Sequence, residues 1–307
     1  VLEPMCTEEL LEFGLDDLHD TDSSYEWIAS DDVSGEPLDP ALVQAARREE
    51  LQYFRDMKVY EYTTVAECLK ATGRAPIGVR WIDTNKGDRN KPNYRSRLVA
   101  KEYRVEARPE LFAATPPTEC MRILACRAAE SKSNKMLYID ISRAYFYARS
   151  IRPTYVRLPP EDPRAGEEGV CGRLLMSMYG TRDAAVNWAE EYTGRLIDMG
   201  FKTGRASPCV FYHQQRGLRA YVHGDDFVVT GMPSELKWMQ TKIEEKYELK
   251  VEVLGPDIGQ QKEVRVLNRI LRWTDKGVEY EADPRHVEII LKQLNISECK
   301  AVVTPGT

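Results

Sequence analysis

Apolar positions along the chain fall either in short continuous runs or on single helical faces, with Gly, Pro and charged breaks between them. Asp39 ahead of Pro40 predicts a capped helix start, and Leu42, Ala46, Glu50 and Tyr53 fit one face of the helix that follows. Gly73-Arg74-Ala75-Pro76 and Asn85-Lys86-Gly87-Asp88 bracket an apolar stretch, so residues 77–82 and 94–101 read as two strands joined by a loop over 83–93. Helices are predicted over 117–131, with Cys120, Leu124 and Ala128 in register, and over 182–199, with Ala185, Trp188, Tyr192 and Leu196 on one face.

Residues 136–141 form an apolar run of strand length that carries one charge near its end, Asp140. Two more runs, 220–222 and 227–230, flank His223-Gly224-Asp225-Asp226 and predict a hairpin with a tight tip. Pro233 opens a helix carrying Leu236, Met239, Ile243 and Tyr247. A strand over 264–273, a turn at Asp275-Lys276-Gly277, a strand over 278–281 and a last helix after Pro284 complete the pattern. Helices and strands are interspersed without a βαβ rhythm or an internal repeat, so the class is α+β rather than doubly wound.

The 307 residues, 42% hydrophobic and 30% charged, allow about two domain-sized units with a sizeable core, and exclude a fibre or chain-wide disorder. No apolar run approaches the about 20 residues a membrane helix needs. The start, Val1-Leu2-Glu3-Pro4, lacks the features of a signal peptide and an initiator Met, so an intracellular fragment of something longer is expected. Seven widely spaced cysteines without a C-x-x-C, and four unclustered histidines, argue for free thiols and against a structural zinc site.

The net charge of −6 hides an asymmetry: residues 1–40 hold thirteen acids and no Lys or Arg, while 81–160 hold sixteen bases against eight acids. The first stretch reads as an acidic, disordered arm with order beginning near Asp39. The second is compatible with a phosphate-rich partner or with an ordinary solvated surface.

Candidate chemistry centres on three carboxylates. Asp140 ends a buried strand, and Asp225 and Asp226 sit at a hairpin tip. Each has a plain reading alone, a cap or a turn residue. Together, at one edge of a sheet, they would suit hard divalent cations, Mg²⁺ above all when phosphates supply the other ligands. In residues 93–101 a period of two puts Arg95, Arg97 and Lys101 on one face and Ser96, Leu98 and Ala100 on the other, which suits a grip on phosphate or an exposed face. Tyr145, five residues after Asp140, is either a core ring or a bulk that excludes a 2′-hydroxyl.

The order Arg95-Ser-Arg-Leu-Val-Ala-Lys101, Ile139-Asp-Ile-Ser-Arg-Ala-Tyr-Phe146, Ser177-Met-Tyr-Gly180 with Trp188, then Tyr221-Val-His-Gly-Asp-Asp-Phe227 resembles the reverse transcriptase domain of copia-type LTR retrotransposon Pol polyproteins. Arg157-Leu158-Pro159-Pro160 and Thr304-Pro305-Gly306 match further landmarks, so the likeness covers about residues 42–307. It implies a right-hand polymerase: an acidic arm over 1–40, an N-terminal helix and fingers over 41–115, a palm with an antiparallel sheet backed by helices over 116–232, and a partial thumb or connection over 233–307, ending before an RNase H domain.

The resemblance further implies RNA-directed DNA polymerisation. Two Mg²⁺ ions, with Mn²⁺ as substitute, would be held by Asp140, Asp225, Asp226 and the Ile141 backbone carbonyl. Arg95, Arg97, Lys101, Tyr145 and Gly180 would bind the nucleotide, Tyr145 as the sugar gate. The implied partners are an RNA template, a DNA primer, deoxynucleotides, and the RNase H and integrase of the same polyprotein, with no membrane. The implied setting is cytoplasmic, with nuclear access as part of a retrotransposon complex. Two departures stand out: His223-Gly224 before the aspartates where the family has Tyr-Val, and Thr181-Arg182-Asp183 where many relatives have Leu-Lys-Gln. The alternative is a decayed or co-opted copy that binds nucleic acid without polymerising. An unrelated Mg²⁺ phosphohydrolase would account for the carboxylates but not for the cationic strand or Tyr145.

Overall fold

A computed structural model of the chain describes residues 29–88, 90–103, 111–131, 133–281 and 285–296. The arm as far as residue 28 and the Thr304-Pro305-Gly306 landmark lie outside the described residues. In chain order, β1 (Ala29–Ser30) and β2 (Pro37–Leu38) pair antiparallel, followed by α1 (Pro40–Asp56), β3 (Tyr60–Thr64), α2 (Val65–Thr72) and the paired strands β4 (Val79–Asn85) and β5 (Tyr94–Ala100). Then come α3 (Thr118–Ala129), β6 (Lys135–Ile141), a 3-10 turn (Ala144–Tyr147), β7 (Tyr155–Val156), β8 (Val170–Leu174) and α4 (Ala184–Asp198). Strands β9 (Lys202–Thr203), β10 (Val210–His213), β11 (Leu218–His223) and β12 (Asp226–Gly231) lead to α5 (Pro233–Glu244). The last elements are β13 (Leu249–Leu254), β14 (Glu263–Val266), β15 (Arg269–Thr274), β16 (Gly277–Glu281) and α6 (Arg285–Gln293).

The chain divides into two compact units, one of residues up to Arg48 with Ile82–Ser96, the other of Glu49–Trp81 and residues from Arg97 onward. In the first, Asp39 Oδ1 accepts from the amides of Ala41 and Leu42 (2.8 and 3.2 Å), the cap its sequence announces. The buried side of this part of α1 is Val43, not Leu42, because Val43 closes on Ala29 and Leu38. Order also begins earlier than the composition suggests. Asp31 Oδ2 accepts from the Asn85 amide and Asp32 Oδ2 from the Asp83 amide (both 2.7 Å), so these acids stitch the β1–β2 hairpin to the end of β4. Those backbone donors hold the Asp31 carboxyl below its ordinary value. Asp83 is itself buried, taking Arg47 at 2.6 Å and the Ser96 hydroxyl at 2.6 Å.

The second unit is built on a six-stranded antiparallel sheet of order β13-β6-β12-β11-β10-β9. Alternation along β6 and β12 fills both faces. Leu137, Ile139, Ile141, Phe227 and Val229 pack with Trp188, Tyr192 and Leu196 of α4 and Leu236, Met239 and Ile243 of α5. On the other face Met136, Tyr221 and Val228 meet Met121, Leu124 and Ala128 of α3 and Val264, Val266 and Leu271 of β14 and β15. Each of the Val, Leu, Ile, Phe and Met side chains among these contributes about 1.5–3 kcal/mol by leaving water. A further core joins Leu51 and Phe54 of α1 to Leu98 and Ala100 of β5, Phe146 and Met178. The strand expected over 264–273 is two strands, because Leu267 and Asn268 both take positive φ (49° and 61°) and turn the chain back.

Candidate active site

The carboxylates meet through strand register. β6 and β12 are neighbours, and Asp140 is the Cα partner of Asp226. Cross-strand partners share a face. One residue further, the Ile141 amide donates to the Asp225 carbonyl at 3.0 Å, tying the hairpin tip to the end of β6. Gly224 allows that tip: its φ of +64° sits at the first of two turn positions, where a Cβ is costly.

Tyr138, two residues before Asp140 on the same face, donates its hydroxyl to Asp226 Oδ1. Burial pushes the Asp226 carboxyl up to about 6, Tyr138 opposes that rise, and the charges of Asp225 and Asp140 add to it. Three carboxylates in mutual repulsion are the donor chemistry of a hard cation site. Among the described residues no three His, Cys, Asp or Glu side chains close into a metal cage. Mg²⁺ seldom uses one, taking one or two carboxylates and completing its shell with water and substrate phosphates. The residues present fit that pattern.

Beside the carboxylates stands an aromatic wall. Tyr145, in the 3-10 turn, packs on Tyr179 with ring centroids 4.8 Å apart, and the Arg97 guanidinium lies over Tyr179 at 4.8 Å. Burial raises the Tyr145 phenol, the Asp225 charge raises it further, and Arg97 opposes both. The turn between Asp140 and Tyr145 is made by Arg143 at φ +51°. Arg143 lies over the Tyr53 ring (3.3 Å) and bonds the buried Glu50 (2.9 Å), which compensates a left-handed backbone unusual for a side chain of this size. Gly180 is required by packing: at φ +84°, a Cβ would stand 2.0 Å from the Ala100 carbonyl oxygen.

Of the cationic residues read from the sequence, Arg97 joins this group through Tyr179. Arg95 belongs to the first compact unit. Lys101 follows the end of β5 and lines a different cavity. Asp183, the acid in place of an amide, is buried and paired with Arg152 at 3.1 Å. Trp188, recognisable in the sequence only as a helix-face residue and family landmark, donates its indole N–H to the Gly224 carbonyl at 2.8 Å. The period of two that places Asp140 on this face also places Tyr138 there.

The model of the family described as "Reverse transcriptase (RNA-dependent DNA polymerase)" matches residues 61–306, and the chain belongs to that family. Its relatives are copia- and Ty1-type retrotransposon Pol polyproteins. The chain is 19% identical over 294 residues to the retrovirus-related Pol polyprotein from transposon TNT 1-94 of Nicotiana tabacum, covering 91% of this chain and 21% of that one. It is 31% identical over 119 residues to the truncated transposon Ty1-A Gag-Pol polyprotein of Saccharomyces cerevisiae, covering 38% of this chain and 10% of that one. The chain thus spans about a fifth or less of these relatives' length. Among solved structures, the foamy viral protease-reverse transcriptase in complex with double-stranded DNA aligns at TM-score 0.45 and 13% identity over 86% of this chain and 37% of its own. A Candida tropicalis telomerase aligns at TM-score 0.44 and 9% identity over 83% of this chain and 64% of its own. The α+β class expected from the interspersed helices and strands is the one found. No helix of the described residues is long and apolar enough to cross a membrane.

Proposed function

We propose that this chain is the RNA-directed DNA polymerase segment of a copia-type Pol polyprotein, joining a deoxynucleotide to a primer 3′-hydroxyl with release of pyrophosphate. The observation that carries the reading is the register of Asp140 against Asp226, with Asp225 tied to Ile141 beside them. Asp140 and Asp225 would hold the divalent ions, with Asp226 and the Ile141 carbonyl as further donors. When bound, Mg²⁺ or its substitute Mn²⁺ supplies the positive charge that favours an ionised 3′-hydroxyl and a departing pyrophosphate.

The remaining roles fall to the chain's own side chains. Arg97, fixed on Tyr179, offers a guanidinium to the triphosphate without losing much side-chain freedom on binding. Tyr145, backed by Tyr179, forms a wall against which a ribose 2′-hydroxyl would collide. Trp188 holds the hairpin tip, and Tyr138 fixes the Asp226 carboxylate. In family terms, residues 116–232 make the palm, 41–115 the helix and fingers, and 233–307 the thumb or connection. The partners follow: an RNA template, a DNA primer and the other domains of the polyprotein. The five described cysteines are all free thiols, which supports an intracellular setting.

The test is extension of a DNA primer on an RNA template with Mg²⁺ and deoxynucleotides, with Asp225→Asn alongside. Extension by the native chain that the variant loses, while duplex binding persists, is the expected result. Duplex binding without extension by the native chain would instead make it a non-polymerising copy.

A further inference from the structure

Glu50 is the exception on the inner side of α1. Its neighbours there, Leu51 and Phe54, close on apolar side chains, whereas Glu50 buries a carboxylate of which 3% is exposed. A buried charge opposes folding unless it is paired, and a buried pair adds little over an apolar one, so its use lies in fixing one geometry. Arg143 is the cation it takes, with Nε donating to Glu50 Oε2 at 2.9 Å. The same guanidinium lies over the Tyr53 ring at 3.3 Å and stands 3.7 Å from Glu49. One patch of α1 therefore holds Arg143.

Arg143 decides the path of the chain between Asp140 and Tyr145. Before it, the Ser142 amide donates to the Glu248 carbonyl at 2.9 Å; after it, the Tyr147 hydroxyl accepts from the Glu248 amide at 2.8 Å. With both flanks tied to one residue, the turn between them is set by the φ of +51° at Arg143. Such a backbone persists only where the surroundings over-determine it. The Arg143 carbonyl accepts from the Phe146 amide at 2.9 Å to close the 3-10 turn, and Phe146 packs on Phe54 of α1 with centroids 4.8 Å apart. Tyr145 thus stands between two residues that α1 holds, with its ring on Tyr179. The holding residues, 49–54, precede the stretch 61–306 that the family model matches.

We propose that Glu50 is a positioning residue for Tyr145: its pair with Arg143 sets the direction of the turn, and with it the selectivity between deoxy- and ribonucleotides. The inference rests on the reading of Tyr145 as the sugar gate. Packing alone does not demand the pair. Leu at 50 with Asn at 143 fills the same place without a buried charge, and Asn takes a left-handed backbone readily, so stability and positioning come apart.

Two readouts are taken on the full chain. One is the ratio of kcat/KM for a deoxynucleotide to that for the matching ribonucleotide in primer extension. The other is the fluorine resonance of Tyr145 in fluorotyrosine-labelled protein, identified by its loss in Tyr145→Phe. Glu50→Leu combined with Arg143→Asn is expected to melt near the native temperature, to move the Tyr145 resonance and to lower the ratio about tenfold, short of the about hundredfold that a 1 Å misplacement can cost. Tyr53→Leu is the milder change should the double variant not fold, and lowers the ratio about threefold through the lost cation–π contact. Glu50→Gln still accepts from Arg143 and is expected to keep both readouts at native values. A native resonance in the double variant, or in Tyr53→Leu if that alone folds, overturns the proposal. So does a native ratio there while Tyr145→Ala lowers it, and so does a ratio that merely follows the melting temperature across the variants. The resonance needs no catalysis: if it moves as expected but Tyr145→Ala leaves the ratio unchanged, the gate reading fails and the Glu50 anchor on the turn stands.

Discussion

Trp188 is the side chain through which α4 holds the carboxylate hairpin, and Trp188→Phe separates the work of its ring from that of its N–H. The variant keeps an aromatic ring near Tyr192 and Tyr247, whose centroids lie 5.6 and 5.4 Å from that of Trp188, and deletes the 2.8 Å bond to the Gly224 carbonyl. Gly224 is exposed, so water can replace the indole, and the lost bond costs about 1 kcal/mol rather than the larger penalty of a buried orphan. Removing about three ring atoms from a fully buried position adds about 2 kcal/mol in transfer and cavity terms. The sum, about 3 kcal/mol, lowers Tm by about 6–12 °C. The tip carrying Asp225 then keeps the Ile141 bond, the strand ladder and the Tyr138 bond to Asp226 but loses its tie to α4, and kcat for primer extension is expected to fall about ten- to hundredfold, as small misplacements of reacting groups do. Leu196→Ala is the control. Leu196 is fully buried further along the same helix face, and its truncation costs about 2–5 kcal/mol without touching the tip. Thermal melts and single-turnover extension are compared for both variants. The reasoning fails if Trp188→Phe melts lower but keeps its kcat, or if Leu196→Ala loses kcat equally.

Three further outcomes are expected. Gly180→Ala drives a Cβ into the Ala100 carbonyl at a left-handed backbone position, costing about 3 kcal/mol or more; a melt indistinguishable from that of the native chain would refute the close approach. Tyr145→Ala removes the wall beside Asp225 and should raise ribonucleotide incorporation relative to deoxynucleotide, whereas an unchanged ratio in a competition extension assay would remove the gate. The Asp226 carboxyl titrates at about 6 when folded against 3.8 ordinarily. Its folded pKa is raised, so its charged form opposes folding: nothing is lost below pH 3.8, and about 3 kcal/mol is lost by the time pH passes 6. Asp226→Asn should therefore flatten denaturant-derived stability between pH 4 and pH 7 in metal-free buffer, and an equal slope in variant and native chain would contradict the assignment.

Much of the site is legible because strand alternation and register are local rules. The buried set Ser96, Leu98 and Ala100 follows directly from a period of two. So does the hairpin that lifts Asp225, since Gly-Asp between apolar runs leaves the chain few other conformations. What stays hidden depends on partners distant in sequence. Asp31 and Asp32 look like a solvated tail until the backbone amides of Asn85 and Asp83 arrive to use them. The phase of α1 is set by Val43 closing on Ala29 and Leu38, which no helical wheel contains. Leu267-Asn268 turns the chain without the Asn-Gly pair that signals such a turn, because its flanking strands fix it in place. Lys101 lies one residue past the end of β5, where the strand's period of two no longer sets the direction of a side chain.

The strand order has a consequence for the nascent chain. β6, which carries Asp140, lies between β12 and β13, and both are synthesised only after all of the chain from the 3-10 turn through β11. Until they emerge, β6 presents two open edges and an apolar face, so closing the site means closing a long loop. An interrupted translation product would hold Asp140 on an unpaired, aggregation-prone strand and could not assemble the carboxylate group. Completion of the ladder on both sides of β6 therefore makes folding and competence the same late event.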